Sequence, residues 1–393
     1  MELKKVYEAM NFKTLVLIAK KFWKLFEPFI AGFEGKSSNQ KASNPFESNV
    51  AENSMFSEML SPILAVLIAF IFVGIVIAIE GVSPIAAYAS LFQGAFGGAY
   101  NIAETLAKAA PLTFTGLAAA IAFRCKVWNI GAEGQLYIGA IATTWVGLAF
   151  KLPSFIHVAL IIFFSFLAGA VYGIIPGMLK ARFRANEILI TLMMNYIAIY
   201  FVSYLVENPW RDPSGITYSP PLSSSAWLPV LVPKTRLHVG VALAIICAVL
   251  LHLLIHRTTL GYKTKAVGSS LSAANYGGIS TSWTIVAIMA ISGGLAGLAG
   301  MGEVSGIQHR LMGGLSPFYG FLGVIVALLG RLEPLGVLLA AIFLGALFVG
   351  ADAMQRAAGV PVTIVYILEG LMMVFLVAGE KTFREYLLRR IKR

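Results

Sequence analysis

Long apolar runs, separated by short polar connections, dominate the chain. Ten stretches, near 60–79, 101–123, 131–150, 155–178, 188–207, 238–256, 282–303, 317–330, 335–350 and 361–379, are built mainly from Ala, Val, Ile, Leu, Met and Phe. Several reach the ~18 apolar residues that a membrane-crossing helix needs. None alternates with the period of two expected of the ~10-residue strands of a membrane barrel. The pattern predicts an all-α, polytopic membrane protein with about ten transmembrane helices. The stretches at 317–330 and 335–350 are short enough to be broken or re-entrant.

The flanking segments have a different character. In residues 1–34, Phe12, Leu15, Ala19, Phe22, Phe26 and Phe29 recur at helical spacing, with Lys13, Lys20, Lys21 and Lys24 between them. This is an amphipathic helix that either lies in the headgroup plane or packs on the protein's own cytoplasmic side. Residues 35–54 form a polar linker without period. Three parts result: a cytoplasmic extension and linker at 1–58, a membrane domain at 59–380, and a basic cytoplasmic tail at 381–393. Residues 1–24 carry six lysines and no apolar core followed by a small-residue cleavage site, so no secretory signal is expected.

Composition and charge sharpen the picture. Apolar residues make up 58% of the chain and charged ones 12%, against roughly 25% charged in soluble domains. A net charge of +11 would suggest nucleic acid in a soluble protein. Here it follows from cytoplasmic loops: placing both termini inside gathers most of the 30 Lys and Arg residues on that side. No nucleic-acid partner is expected. The cell membrane is the expected location, and lipid the expected surroundings. Cys125 and Cys247 lie in or beside apolar runs and suggest neither a disulfide framework nor a metal site.

Catalytic signatures are missing: no G-x-x-x-x-G-K-[ST] loop, no H-E-x-x-H and no G-x-S-x-G. His252 and His256 are four apart on one helix face. Without a third ligand in the sequence pattern, they read as the cytoplasmic end of a span, and no metal is expected. The polar residues inside the apolar runs are more telling. In "NIGAEGQLYIGA", residues 129–140, a helix starting at Gly131 or earlier would carry Glu133 and Gln135 into the membrane region. A carboxylate there persists only when it faces protein or water. Asn129, Glu133 and Gln135 then either line a polar pathway or form a tight cytoplasmic turn. In "NEILITLMMNYIA", Asn186 and Glu187 suit a helix start. Asn195, two turns further in, must either line the pathway or bridge two helices. Gly293 and Gly297, like Gly302 and Gly306, form G-x-x-x-G pairs that permit close helix packing. Glu303 and Glu369 are further intramembrane carboxyls. The outer connection 208–237 contains six prolines, fitting either a docking surface or an ordered cap over the helix ends.

"PLTFTGLAAAIAFRCKVWNIGAEGQLYIGA", "NEILITLMMNYIA" and "GFLGVIVALLGRLEPLGVLLAAIFLGAL" together resemble the permease subunits of ABC importers of the branched-chain amino acid, ribose and nucleoside superfamily. The likeness is strongest to the simple-sugar and nucleoside (guanosine-type) group, and it covers about residues 59–380. Lys126 departs from it, standing where a small residue is usual. The resemblance implies a permease without its own ATPase and without a cofactor, ATP and Mg being bound by partner subunits. It also implies a second permease, related or identical, an extracytoplasmic binding protein or lipoprotein, and a small-molecule cargo. A nucleoside is expected, with a simple sugar or branched-chain amino acid as alternatives. Segment 257–280 resembles the region that docks on the ATPase, with Gly261, Lys265, Gly268, Ala273, Ala274 and Gly278 at matching positions. The rival reading from the residues is a stand-alone ion-coupled carrier using Glu133, Glu303 and Glu369.

Overall fold

The computed structural model describes residues 47–375, with side chains from residue 63 onward. The amphipathic stretch at 1–34, most of the linker and the basic tail at 381–393 lie outside the described residues. The chain divides into two units, of which the second, Phe70–Met373, holds the packing and the site described below. Among the described residues the regular structure is helical: α1 (Glu47–Ile79), α2 (Pro84–Phe96), α3 (Ala99–Arg124), α4 (Ala132–Ala149), α5 (Ser154–Phe183), α6 (Glu187–Glu207), α7 (Val239–Arg257), α8 (Thr259–Ser269), α9 (Leu271–Tyr276), α10 (Thr281–Met301), α11 (Tyr319–Leu329), α12 (Pro334–Ala358) and α13 (Thr363–Phe375). Residues Gly302–Gln308 continue α10 as a π-helical turn.

Among the described residues, six helices are long and apolar enough to cross a membrane, and up to seven if the bent pair Ile63–Ile79 and Pro84–Phe96 counts as one span. The apolar pattern expected about ten. The run at 317–330 yields only the 11 residues of α11, about 16 Å of helix, because its N-terminal part is not helical. The run at 335–350 instead extends through Asp352, Gln355 and Arg356 to Ala358, so polar residues that suggested an end lie inside the helix. α2 carries no span-length apolar signal and was not expected. The polar segment before residue 55 is not all linker, since α1 begins at Glu47.

Helix α3 is the centre of the bundle: 89% of its most apolar window is buried, against 28% for α5 and for α7. Its alanine-rich sequence has little side-chain bulk, so neighbours approach on every face. Helices α11 and α12 pack against it, as do α7 and α10. Helices α5, α6 and α7 form an outer layer whose large apolar side chains, among them Phe163, Ile197 and Leu250, point away from protein. In a soluble protein such a surface would be a liability; against lipid it is expected.

The tightest packing lies where α4, α5 and α10 meet. A Cβ at Gly139 of α4 would stand 2.2 Å from the carbonyl oxygen of Gly297, and one at Gly293 would stand 2.2 Å from that of Gly169 in α5. Backbone therefore meets backbone, leaving no room for a methyl group. Thr143 and Ser165 add a hydroxyl–hydroxyl hydrogen bond of 2.6 Å between α4 and α5. In lipid, where burying apolar surface does not drive helices together, such contact and hydrogen bonding must do so. Gly139→Ala is expected to destabilise the protein by roughly 1–3 kcal/mol, the usual cost of overpacking. Gly98→Ala, where no atom lies within 4 Å of the new carbon, is expected to leave the thermal transition in detergent unchanged. Equal transitions for the two variants would remove the close-contact account.

Candidate functional site

The residues 125–135 turn back into the bundle. Helix α3 ends at Arg124, whose Nε donates to the Leu332 carbonyl beyond the end of α11. Lys126 takes a left-handed conformation, φ 52°, which accounts for the small residue usual there in the resembled pattern. The chain then runs without helix to Gly131, with the Trp128 ring tilted against Phe123 at 4.6 Å between centroids. Asn129 reaches Ser292, which donates to the Ala118 carbonyl. Gly320, at the start of α11, meets Glu133, and its neighbour Tyr319 accepts a hydrogen bond from Thr115 through its carbonyl. Thr115 lies nine residues before Arg124 in α3, about 13 Å along the helix. The "NIGAEGQ" stretch therefore sits well inside the bundle, level with the middle of α3. It starts α4 within the bundle, about two to three turns back from the end of α3.

The buried side-chain polar atoms of this stretch are paired. The Asn129 Nδ2 donates to Gln135 Oε1 at 2.9 Å and to the Ser292 hydroxyl at 2.8 Å. Its Oδ1 accepts from the Gly131 amide at 3.0 Å and from Gln135 Nε2 at 3.3 Å. Asn195 of α6 uses both ends of its amide, accepting from the Gly134 N–H at 2.8 Å and donating to the Ile130 carbonyl at 2.9 Å. Of the two readings of Asn195, the geometry shows the bridge between α6 and the start of α4. Glu133 accepts from the Gly320 N–H at 2.6 Å. A Cβ at Gly320 would stand 2.1 Å from the Glu133 nitrogen, so the starts of α4 and α11 abut. Both present N–H groups, and the helix dipoles favour negative charge between them. Glu133 supplies it. Asn129, Glu133, Gln135 and Asn195 are each no more than 1% exposed.

Ser292, Gly320 and Tyr319 complete this knot, and the sequence reading missed them. Ser292 opens the "SGGLAG" string, read only for its glycines. Tyr319 receives a hydrogen bond at its hydroxyl from the Lys108 ammonium, 3.3 Å away, and nothing in the apolar run at 317–330 signalled that pair. Further along α10, the buried carboxyl of Glu303 begins the π-helical turn, and Gly306 lies against the His238 ring. A Cβ at Gly302 would meet only the His238 ring, at 3.9 Å, whereas one at Gly293 or Gly297 would run into the backbone of α5. Among the described residues, Glu303 Oε1, Glu369 Oε1, His238 Nε2 and the Ser305 hydroxyl have no hydrogen-bond partner. Glu303 lies within electrostatic reach of Lys108 and Tyr319, beside the knot around Glu133.

Segment 257–280 is two short helices, α8 and α9, at the same end of the bundle as Arg124. A Cβ at Gly268 would stand 2.1 Å from the Arg124 carbonyl oxygen, and one at Gly261 would stand 2.2 Å from that of Ile255. Gly278 has φ +78°. These glycines and buried Ala274 fit α8 and α9 to the bundle, while Lys265 and Ala273 are exposed beside Tyr262, Leu271 and Tyr276. Glu333 lies nearby, facing Arg124 and His256. Burial raises its carboxyl, but the His256 hydrogen bond and the Arg124 charge outweigh that and hold it below the usual range. At the opposite end, the 208–237 connection is ordered. Its Ser219 and Leu222 amides donate to the Leu311 and His309 carbonyls, and Trp227 stacks on His309 at 3.9 Å. It caps the π-helical turn, and Ile216, Trp227, Val230 and Leu231 remain exposed on its outer face.

The family model described as branched-chain amino acid transport system / permease component matches residues 101–377. Over 327 residues, 82% of this chain and 94% of the relative, the sequence is 37% identical to the guanosine ABC transporter permease protein NupP of Bacillus subtilis. It is 33% identical to the glucose ABC transporter permease protein TsgB13 of Haloferax volcanii, covering 83% and 88% of the two chains. It is 32% identical to the nucleoside ABC transporter permease protein NupB of Lactococcus lactis, covering 82% and 92%. No solved structure matches the chain.

The knot carries a direct stability consequence. Asn129→Ala and Asn195→Ala each strand buried backbone N–H groups, and each stranded group costs about 1–3 kcal/mol. Both are expected to lower the thermal transition in detergent clearly. Asn208→Ala, exposed at the far end of α6, is expected to change stability by less than about 0.5 kcal/mol. A transition unchanged in the two buried variants would contradict the bonding described.

Proposed function

Because the chain belongs to the branched-chain amino acid transport system / permease component family, we propose that it is the membrane subunit of an ATP-driven importer carrying nucleosides. The observation that carries the cargo class is the 37% identity to a guanosine permease along nearly the whole of that relative. The relative named for glucose makes a simple sugar the second candidate. The chain itself binds no cofactor in this reading and is not an enzyme. Partner ATPase subunits bind ATP and Mg and hydrolyse the nucleotide, a second permease completes the membrane unit, and an external binding protein delivers the solute.

The proposed topology has both termini in the cytoplasm of a cell whose inner membrane the chain crosses about ten times. Helices α4, α11 and α13 complete crossings as broken or re-entrant pieces. The ATPase docks on the exposed face of α8 and α9, around Lys265 and Ala273. Gly261, Gly268, Ala274 and Gly278 hold that face rigidly, so its displacement is transmitted to α3 through the Gly268–Arg124 contact. The bundle then switches its open side by rigid-body rocking.

Asn129, Glu133, Gln135 and Asn195 are the proposed polar elements of the pathway. Their mutual hydrogen bonds support a closed arrangement, which rearrangement of α4 against α6 and α11 would open to solute. Such a path holds cargo weakly, which suits release when an external protein supplies the affinity. Gly293 and Gly297 keep α10 and α5 together as one moving body.

The test is uptake of labelled guanosine by proteoliposomes containing the full complex. Uptake is expected to require ATP, and Glu133→Ala is expected to reduce it at least about tenfold, removal of one positioned polar group being worth 1.4 kcal/mol or more, while the subunits still co-purify. Accumulation by this chain alone on an ion gradient would overturn the reading. ATP-driven uptake of glucose without guanosine would replace the cargo class.

A further inference from the structure

The protein contains five histidines. His157 is satisfied inside the bundle by Ser225 and the Val146 carbonyl, and His238 and His309 lie at the capped end. His252 and His256 are different. They stand one turn apart on α7, with ring centroids 4.5 Å from each other. The sequence offered no third group. The fold supplies one: the turn between α11 and α12 brings Glu333 to them, and the His256 Nε2 lies 3.1 Å from Glu333 Oε2.

We propose that His252, His256 and Glu333 form a binding site for a divalent transition-metal ion of the zinc type. One ligand atom from each residue lies within 4.8 Å of the other two. A tetrahedral ion with bonds near 2.0–2.1 Å holds its ligands about 3.3 Å apart. The His256–Glu333 distance already meets that, and the third ligand must close by about 1.5 Å or less, within reach of an imidazole rotation. The donor set is right for such an ion, two imidazole nitrogens and one carboxylate oxygen, and it leaves a fourth position for water. His252 Nδ1 is buried and has no hydrogen-bond partner among the described residues. Arg124 bonds the other oxygen of Glu333. It thereby orients the carboxylate from behind, as outer groups commonly do for metal-ligating carboxylates. His256 and Glu333 are open to solvent, with side-chain exposures of 39% and 45%, so an ion can reach them.

The site ties the last turn of α7 to the first residue before α12. Helix α8 begins two residues after α7 ends and rests on Arg124, the residue that also holds Glu333. A bound ion would therefore pin the end of α7, from which α8 leads, to the start of α12. This inference uses only the geometry of the three side chains, and it stands or fails separately from the identity of the cargo.

Co2+ reports the site directly, because a four-coordinate ion has intense visible bands that the hydrated ion lacks. The full chain, purified in detergent without a polyhistidine tag, is titrated with Co2+ and then with Zn2+. One Co2+ per chain is expected to saturate the bands, and Zn2+ is expected to abolish them. His256→Ala, which alters an exposed ring, and Glu333→Gln are each expected to weaken Co2+ binding at least about tenfold while eluting as the wild type does on size exclusion. Absence of a saturable signal in the wild type would overturn the proposal. So would wild-type affinity in His256→Ala, and unchanged affinity in Glu333→Gln would overturn the three-ligand assignment.

Discussion

Helix starts inside a bilayer are the constraint on which this fold turns. The first N–H groups of any helix lack partners within the helix, and in the hydrocarbon region each unsatisfied group costs several kcal/mol. Helices α4 and α11 both begin among buried side chains, level with Thr115 of α3. The chain resolves this with side chains. The Glu133 carboxyl takes the Gly320 amide, Asn195 takes the Gly134 amide, and Asn129 takes that of Gly131. The polar residues of "NIGAEGQ" are therefore required by the backbone that surrounds them before any solute is considered.

That requirement also explains the glycines. A carboxyl can cap a neighbouring helix only if the two helix starts nearly touch, and Gly320 permits this approach. Close contact recurs where α4 and α5 meet α10, with backbone facing backbone at Gly139, Gly169, Gly293 and Gly297. These regions hold α3, α4, α5, α10 and α11 in fixed relation, while the lipid-facing sides of α5, α6 and α7 remain plain apolar surface. A bundle packed this way deforms little within its rigid parts, and it moves by shifting one packed part against another.

Much of this was legible from the residues. The apolar runs gave the class and most of the helices. A helix beginning at or before Gly131 was expected, and α4 begins one residue later at Ala132, still with Glu133 in its first turn, while the short stretch at 317–330 suggested a broken helix. The joining of those two features was not legible. Nothing in one-dimensional spacing says that Glu133 and Gly320 meet, or that Ser292 belongs to Asn129 and not to a glycine packing stripe. Glu333 was hidden for a similar reason. It sat in a polar connection with no periodic signal, and only the tertiary fold brings it to His252 and His256. Helix α2 escaped because 13 residues flanked by glycine carry no span-length signal, and α12 ran past its expected end because buried neighbours tolerate a helix with polar residues on its last turns.

The buried start of α4 is tested most directly by a single-particle structure of the chain in a lipid nanodisc, with the bilayer boundary visible. The account predicts that Glu133 lies at least about 10 Å inside the headgroup boundary, the rise of some seven helical residues, with its carboxyl on the Gly320 amide. A structure placing residues 129–135 at headgroup level, with Glu133 facing water and α11 starting elsewhere, would contradict it.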